Sequence, residues 1–489
     1  MNGLTSWMEK YILPVAGRIG AQKHLVALRD AFIGTMPATM AGSVAVMINA
    51  IIRDLPQQFI STYADSLAAD KGFFAVLNVI IGINGFVWNG TLAIAGLIFA
   101  FSWGYNLARA YGVNDLAGGI VGLATLIQGI AFGPSLSAAL NVNVPQNVAD
   151  AINGSEIGAT ITDGTLSVGL WGWLKLDHLN GNAYFTVMIM GAISVIIFCK
   201  LMLANITIKM PDSVPPAVSK AFAAILPATI SLYVIAIINY VVGRVADGQL
   251  IIDLVQKYIA EPFLGLSQGI GAVLIVTVFV QIFWFFGIHG PNVLAPVLEG
   301  IWGQAQLINI DIFQKGYNGK TGTPAVLDAI EDGKAYMWVR GSFDAFAWFG
   351  GSGGSGGTIV LLIAILLLSK RADYLTVAKL SIGPGIFNIN EPVMFGLPIV
   401  LNAIMFIPFL VAPVVATTIG WVATYLGLVA PVSQQVTWVV PPFLLSFLAT
   451  GADWRAPIVT LVCMVVTFLI WAPFVMSANK MDPAAGEPK

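Results

Sequence analysis

Uncharged apolar runs long enough to cross a bilayer recur along this chain, and they constrain its fold more than any other feature. In the first half they occupy about 31–52, 87–109, 117–138 and 183–203; in the second, about 221–245, 269–288, 355–369, 396–428 and 456–476. A hydrocarbon core of about 30 Å takes roughly 20 helical residues to cross. With no water to satisfy it there, a backbone must pair internally, as a helix does. The run at 396–428 has room for two helices. The expected fold is therefore an all-α polytopic membrane protein with about ten transmembrane helices.

Composition agrees. Of the 489 residues, 57% are hydrophobic and 10% charged, against about 25% charged in soluble chains. The formal charge of −2 comes without an acidic or basic block, so nucleic acid is not an expected partner. Cys199 and Cys463 sit far apart in apolar runs. They match no disulfide or zinc spacing and read as packing residues, and no metal or cofactor is expected.

The opening stretch "WMEKYILPVAGRIG" reads as an interfacial amphipathic helix. Lys10, Arg18, Lys23 and Arg29 precede the first long run, which places the N-terminus in the cytoplasm by the positive-inside rule. Four crossings later the chain carries Lys200, Lys209 and Lys220 around the proline-broken "KMPDSVPPAVSK", as a cytoplasmic linker should. The expected organisation is an N-terminal domain of regular spans, 1–210, a C-terminal domain, 211–480, and a short cytoplasmic tail, 481–489. No internal repeat is evident.

The C-terminal part contains the irregular stretches "GIHGPNVLAPVLEGIW" and "GPGIFNINEPVMFG", short and rich in Gly and Pro yet apolar. They read as two re-entrant hairpins. Irregular backbone survives at membrane depth only where protein or a water-filled cavity surrounds it, and paired interruptions of this kind mark binding sites in transporters. His289 stands between Gly287 and Gly290, whose backbones can bend and approach a ligand. His24 and His178 read as solvated surface imidazoles. Glu391 is costly near hydrocarbon unless it faces water or a partner. Asn388 and Asn390 beside it are suited to sugar hydroxyls, which both donate and accept. The glycine-rich "FGGSGGSGGTIVLL" runs straight into an apolar span, and so reads as backbone that packs closely or opens a helix.

With these residues in view, the chain resembles the membrane-embedded IIC subunits of the bacterial phosphoenolpyruvate-dependent sugar phosphotransferase system (PTS), in the lactose, cellobiose and diacetylchitobiose group. The matching stretches are "RDAFIGTMPATMAGS", "FWFFGIHGPNV", "GGSGGT", "FNINEPVMFGLPIVLN" and "FLATGADWRAP", in that order. The resemblance implies an inner-membrane permease whose N-terminal domain forms a homodimer and whose C-terminal domain holds one disaccharide. It implies elevator-type inward displacement of that domain, followed by phosphorylation of the sugar from a phosphocysteine on a cytoplasmic IIB partner, with IIA, HPr and enzyme I upstream. Carried over by position, Glu391 and His289 are the catalytic pair near the hydroxyl to be phosphorylated, and Gly290, Asn292, Asn388 and Asn390 complete the substrate site. No IIB or IIA domain is attached, so the partners are expected in trans. Two departures stand out: Pro291 in the first hairpin, and long segments at 139–181 and 306–340. The rival reading is an ion-coupled secondary sugar transporter with Glu391 as a proton site. An intramembrane hydrolase lacks support, since there is no HExxH motif and no second carboxylate beside Glu391.

Overall fold

The structure, a computed structural model, describes residues 22–479 apart from 55, 58–59, 61, 134, 140–143, 155–158, 163, 170–172, 212, 398 and 400–402. The expected interfacial helix and the tail lie outside the described residues.

In chain order the main helices are α1 (Lys23–Asn49), α2 (Phe73–Asn89), α3 (Ala95–Ala110), α4 (Asp115–Ile127), α5 (Ala192–Leu203), α6 (Pro216–Val245), α7 (Ile270–Phe285), α8 (Gln304–Lys315), α9 (Thr358–Leu368), α10 (Ala372–Ile386), α11 (Ala403–Tyr425) and α12 (Arg455–Ala478). Among the described residues, six helical stretches are long and apolar enough to cross a membrane: Lys23–Asp54, Phe73–Ala110, Gly181–Leu203, Pro216–Val245, Met405–Tyr425 and Arg455–Ala478. The pair Ile251–Ser267 and Ile270–Phe285, which is long and apolar enough together, is bent by 77° and forms either a broken span or a re-entrant loop. The polytopic helical fold is as expected, but two anticipated spans are shorter. In place of 117–138 there is α4, which stops at Ile127; Gly133 then turns the chain with φ 66° into strand β1 (Ser135–Ala139). In place of 355–369, α9 starts only at Thr358, because Gly356 and Gly357 hold positive φ.

The chain packs as two compact units, Ile94–Ile259 and Met1–Ala93 with Ala260–Lys489. The division expected near residue 210 is taken up below as a proposal.

In the unit Ile94–Ile259, α3 and α4 pack through small residues. A Cβ on Gly104 would lie 2.3 Å from the Gly118 carbonyl oxygen, and one on Gly122 would lie 2.6 Å from that of Ala100. Where lipid offers no hydrophobic drive, such close approach supplies the dispersion contact that holds helices together. The segment 139–181 is not all loop. β1, β2 (Ala159–Thr162) and β3 (Thr165–Gly169) form an antiparallel sheet in the order β1-β3-β2, with Ser137 opposite Ser167. This sheet is an exception to the all-α expectation. His178 is not a solvated imidazole either, being only 4% exposed. Its Nδ1 accepts from the Ala131 N–H at 3.3 Å and its Nε2 lies 3.0 Å from Asp253.

In the other unit, α11 packs on α7 and α12, and it also meets the broken segment Phe343–Trp348. Trp338, Trp348, Trp471, Phe343, Phe346 and Phe409 are fully buried. Arg340 lies between Glu299, at 2.9 Å, and Asp344, at 2.8 Å, so one guanidinium bridges two carboxylates and ties two broken stretches together. Neither cysteine forms a disulfide and both are buried, as expected of packing residues.

Candidate functional site

The candidate site lies within the unit Met1–Ala93 with Ala260–Lys489. Helix α7 ends at Phe285, and Gly287 turns the chain with φ 75° into a short helix, Gly290–Val293. Pro291 occupies the first turn of that helix, where a missing N–H costs nothing, so it is accommodated without disruption. Gly290 is required for a steric reason, since a Cβ there would lie 2.2 Å from the Val280 carbonyl oxygen. It is buried and acts on packing.

His289 caps this helix. Its Nδ1 accepts from the Asn292 N–H at 3.2 Å, while its ring rests against Trp284 with centroids 4.6 Å apart. A backbone N–H can only donate, so the neutral imidazole carries its proton on Nε2. That nitrogen is left without a hydrogen-bond partner among the described residues. His289 and Asn292 are both exposed.

The second broken stretch follows α10. Asn388 takes a left-handed conformation, φ 61°, which Asn tolerates better than most residues. It is 1% exposed, and its Nδ2 donates to the carbonyls of Trp438, at 2.6 Å, and Val440, at 2.8 Å. Asn390 is 4% exposed, and its Oδ1 accepts from the Thr358 hydroxyl at 2.6 Å. Glu391 opens the helix Glu391–Gly396, with Pro392 in its first turn. Its side chain is exposed, and no described residue hydrogen-bonds or ion-pairs with it. Its charge is felt at His289.

Of the six residues singled out, then, the structure brings His289 and Glu391 within electrostatic reach, with Asn292 exposed beside the histidine. Asn388 and Asn390 turn their amides into the protein. Sequence reasoning missed Trp284, which flanks the imidazole, and Thr358, which holds Asn390. Trp284 lies inside an aromatic run where nothing distinguishes it, and Thr358 ends a motif whose glycines drew the attention. Among the described residues no cluster of His, Cys, Asp and Glu could hold a metal ion.

Residues 29–413 match the family model for the phosphotransferase system EIIC component. The chain belongs to the PTS EIIC family. It is 53% identical to the cellobiose-specific EIIC component of Lactococcus lactis subsp. lactis (strain IL1403), over 99% of each chain. It is 31% identical to the oligo-beta-mannoside-specific EIIC component of Bacillus subtilis (strain 168), over 98% of this chain and 94% of that one. A solved structure, the transporter ChbC, the IIC component of the N,N'-diacetylchitobiose-specific phosphotransferase system, superposes with a TM-score of 0.80 at 30% identity. The match covers 97% of this chain and 98% of that one. This IIC component is thus a multi-pass cell-membrane protein.

Proposed function

We propose that this IIC component binds a β-linked disaccharide of the cellobiose class, carries it inward, and presents it for phosphorylation by a separate IIB protein. What supports the proposal is that His289 and Glu391, one from each broken stretch, are both exposed and within electrostatic reach of each other, with neither the imidazole Nε2–H nor the carboxylate hydrogen-bonded by any described residue. The Nε2–H donates to a sugar hydroxyl oxygen, and the Glu391 carboxylate accepts that hydroxyl's proton. The sugar oxygen then forms a bond to phosphorus as the sulfur–phosphorus bond of the IIB phosphocysteine breaks. Asn292 is an ancillary sugar ligand. Gly290, Asn388 and Asn390 hold the backbone that presents the pair. The IIC component works as a homodimer built on residues 1–210, residues 211–480 move as an elevator, and both termini are cytoplasmic.

The relatives' names support the substrate class, since cellobiose, diacetylchitobiose and oligo-β-mannosides are all β-linked. The test is uptake of labelled cellobiose, lactose and diacetylchitobiose into vesicles, with and without phosphorylated IIB, identifying the internal product. Sugar phosphate formed only with IIB and lost in Glu391→Gln is the expected result. Free sugar accumulating on a proton gradient without IIB would make Glu391 a coupling site instead.

A further inference from the structure

Two motifs set apart in the sequence, the glycine-rich stretch ending at Thr358 and the asparagine pair before Glu391, meet at one buried hydrogen bond. The Thr358 hydroxyl donates to Asn390 Oδ1 at 2.6 Å, with the two residues 1% and 4% exposed. The same hydroxyl lies 3.3 Å from the Gly353 carbonyl oxygen, a much longer second contact. Gly354, at φ 113°, leaves the space in which the pair closes. A Cβ there would lie 2.2 Å from both Asn390 Oδ1 and Thr358 Oγ1.

Asn390 precedes the helix Glu391–Gly396, where an asparagine oxygen ordinarily turns back onto the helix's own first N–H groups. Here the side chain makes no such cap. Only its backbone carbonyl serves the helix, accepting from Val393 at 3.1 Å and Met394 at 3.0 Å. With Pro392 lacking an N–H and the Val393 and Met394 N–H groups taken by that carbonyl, the side-chain oxygen is left to Thr358. Glu391, the next residue, has no hydrogen-bond partner of its own among the described residues. Nothing described holds its side chain, so the place from which the carboxylate reaches is set by the backbone on which it stands, and that backbone is held at Asn390.

We propose that Thr358 is a positioning residue for Glu391, acting through Asn390 in a clasp for which Gly354 makes room. The proposal rests on the reading that Glu391 receives a sugar hydroxyl, and it gives the glycine-rich motif a functional role, that of placing a helix start against the hairpin that carries the carboxylate.

The test compares wild type with Thr358→Val, Thr358→Ser and Glu391→Gln in membrane vesicles supplied with phosphorylated IIB. It measures KM and maximal rate for cellobiose phosphorylation, together with the melting temperature of the purified protein. Valine keeps the volume and deletes the donor. The expected result for Thr358→Val is a loss of about tenfold or more in phosphorylation efficiency by correctly folded protein, with Thr358→Ser returning to within about threefold of wild type. Combining Thr358→Val with Asn390→Ala is expected to cost no more than Asn390→Ala alone, because both break one clasp. If Thr358→Val only lowers the melting temperature while KM and rate stay at wild type, or if the double variant shows additive losses, the clasp is an ordinary core contact. Should Glu391→Gln also retain full activity, the reading of the site falls as well. If the valine variant does not accumulate in the membrane, Thr358→Cys, with its weak donor, takes its place under the same criteria.

Discussion

Individual residues in this site divide into those that face outward and those that hold them. His289 is oriented by a single backbone N–H and an indole face, which fixes both its tautomer and its plane. Replacing it with glutamine retains a donor without that fixed plane, so His289→Gln is expected to lower phosphorylation strongly yet leave measurable activity, whereas His289→Leu abolishes it; equal activities would show that the Nε2–H is not the working group. Asn388 has the opposite role. Its amide satisfies two carbonyls of a strap that has little regular structure, and Asn388→Ala leaves both without that donor. An unpaired buried polar group costs about 1–3 kcal/mol, and these two carbonyls are part-buried, so a fall in melting temperature corresponding to the lower end of that cost is expected, which thermal unfolding in detergent would measure. Gly290→Ala is expected to destabilise by a similar amount, about 1–3 kcal/mol, because the added methyl must displace the α7 backbone. Both glycine and asparagine were legible in the sequence as important. That both are buried and that the asparagine's amide is bonded within the protein was not, since burial and partner choice depend on segments up to 52 residues away.

Among the elements, the small-residue seam between α3 and α4 and the connection through His178 carry the clearest consequences. Gly104→Leu puts a branched side chain where a Cβ alone would lie 2.3 Å from a neighbouring carbonyl oxygen. Loss of folded protein in the membrane is expected, and wild-type yield and melting temperature would count against the seam. His178 sits outside the spanning segments, and burial, followed by the charge of Lys175, pushes its pKa below the usual histidine value of 6.5, with Asp253 and Asp177 opposing. The unfolded chain therefore binds a proton at higher pH than the folded one, so stability is full above about pH 6.5 and falls as the pH drops below it. The geometry agrees in sign. A protonated Nδ1 becomes a donor facing the Ala131 N–H, itself a donor. The melting temperature is expected to fall between pH 7.5 and 5.5 in wild type and to fall less in His178→Gln; equal slopes would remove His178 from the account. The sequence suggested a surface imidazole here because the segment is polar. The burial arises from a contact with Asp253, 75 positions on, which no local pattern encodes.

For the molecule as a whole, orientation is the property most directly open to measurement. Cys199 and Cys463 are both fully buried, so a single introduced cysteine can report topology against a quiet background. Ala485→Cys is expected to react with a membrane-impermeant maleimide only after the membrane is opened; labelling in intact cells would put the C-terminus outside and reverse the inward direction of transport proposed above. The sequence alone determined that the chain is a helical membrane protein, where most of its spans lie, and that its regularity breaks around His289 and Glu391. Those are consequences of hydropathy, of helix-breaking residues and of the cost of charge near hydrocarbon, all local properties of the chain. Tertiary structure alone decided that α4 stops short and gives way to a sheet, that the compact units run from Ile94 to Ile259 and through the two flanking segments together, and that the asparagines beside Glu391 turn inward. It also decided that Thr358 closes on Asn390. Each of these depends on which distant group is available to satisfy a buried polar atom or fill the space beside a glycine, and that is settled only when the helices meet.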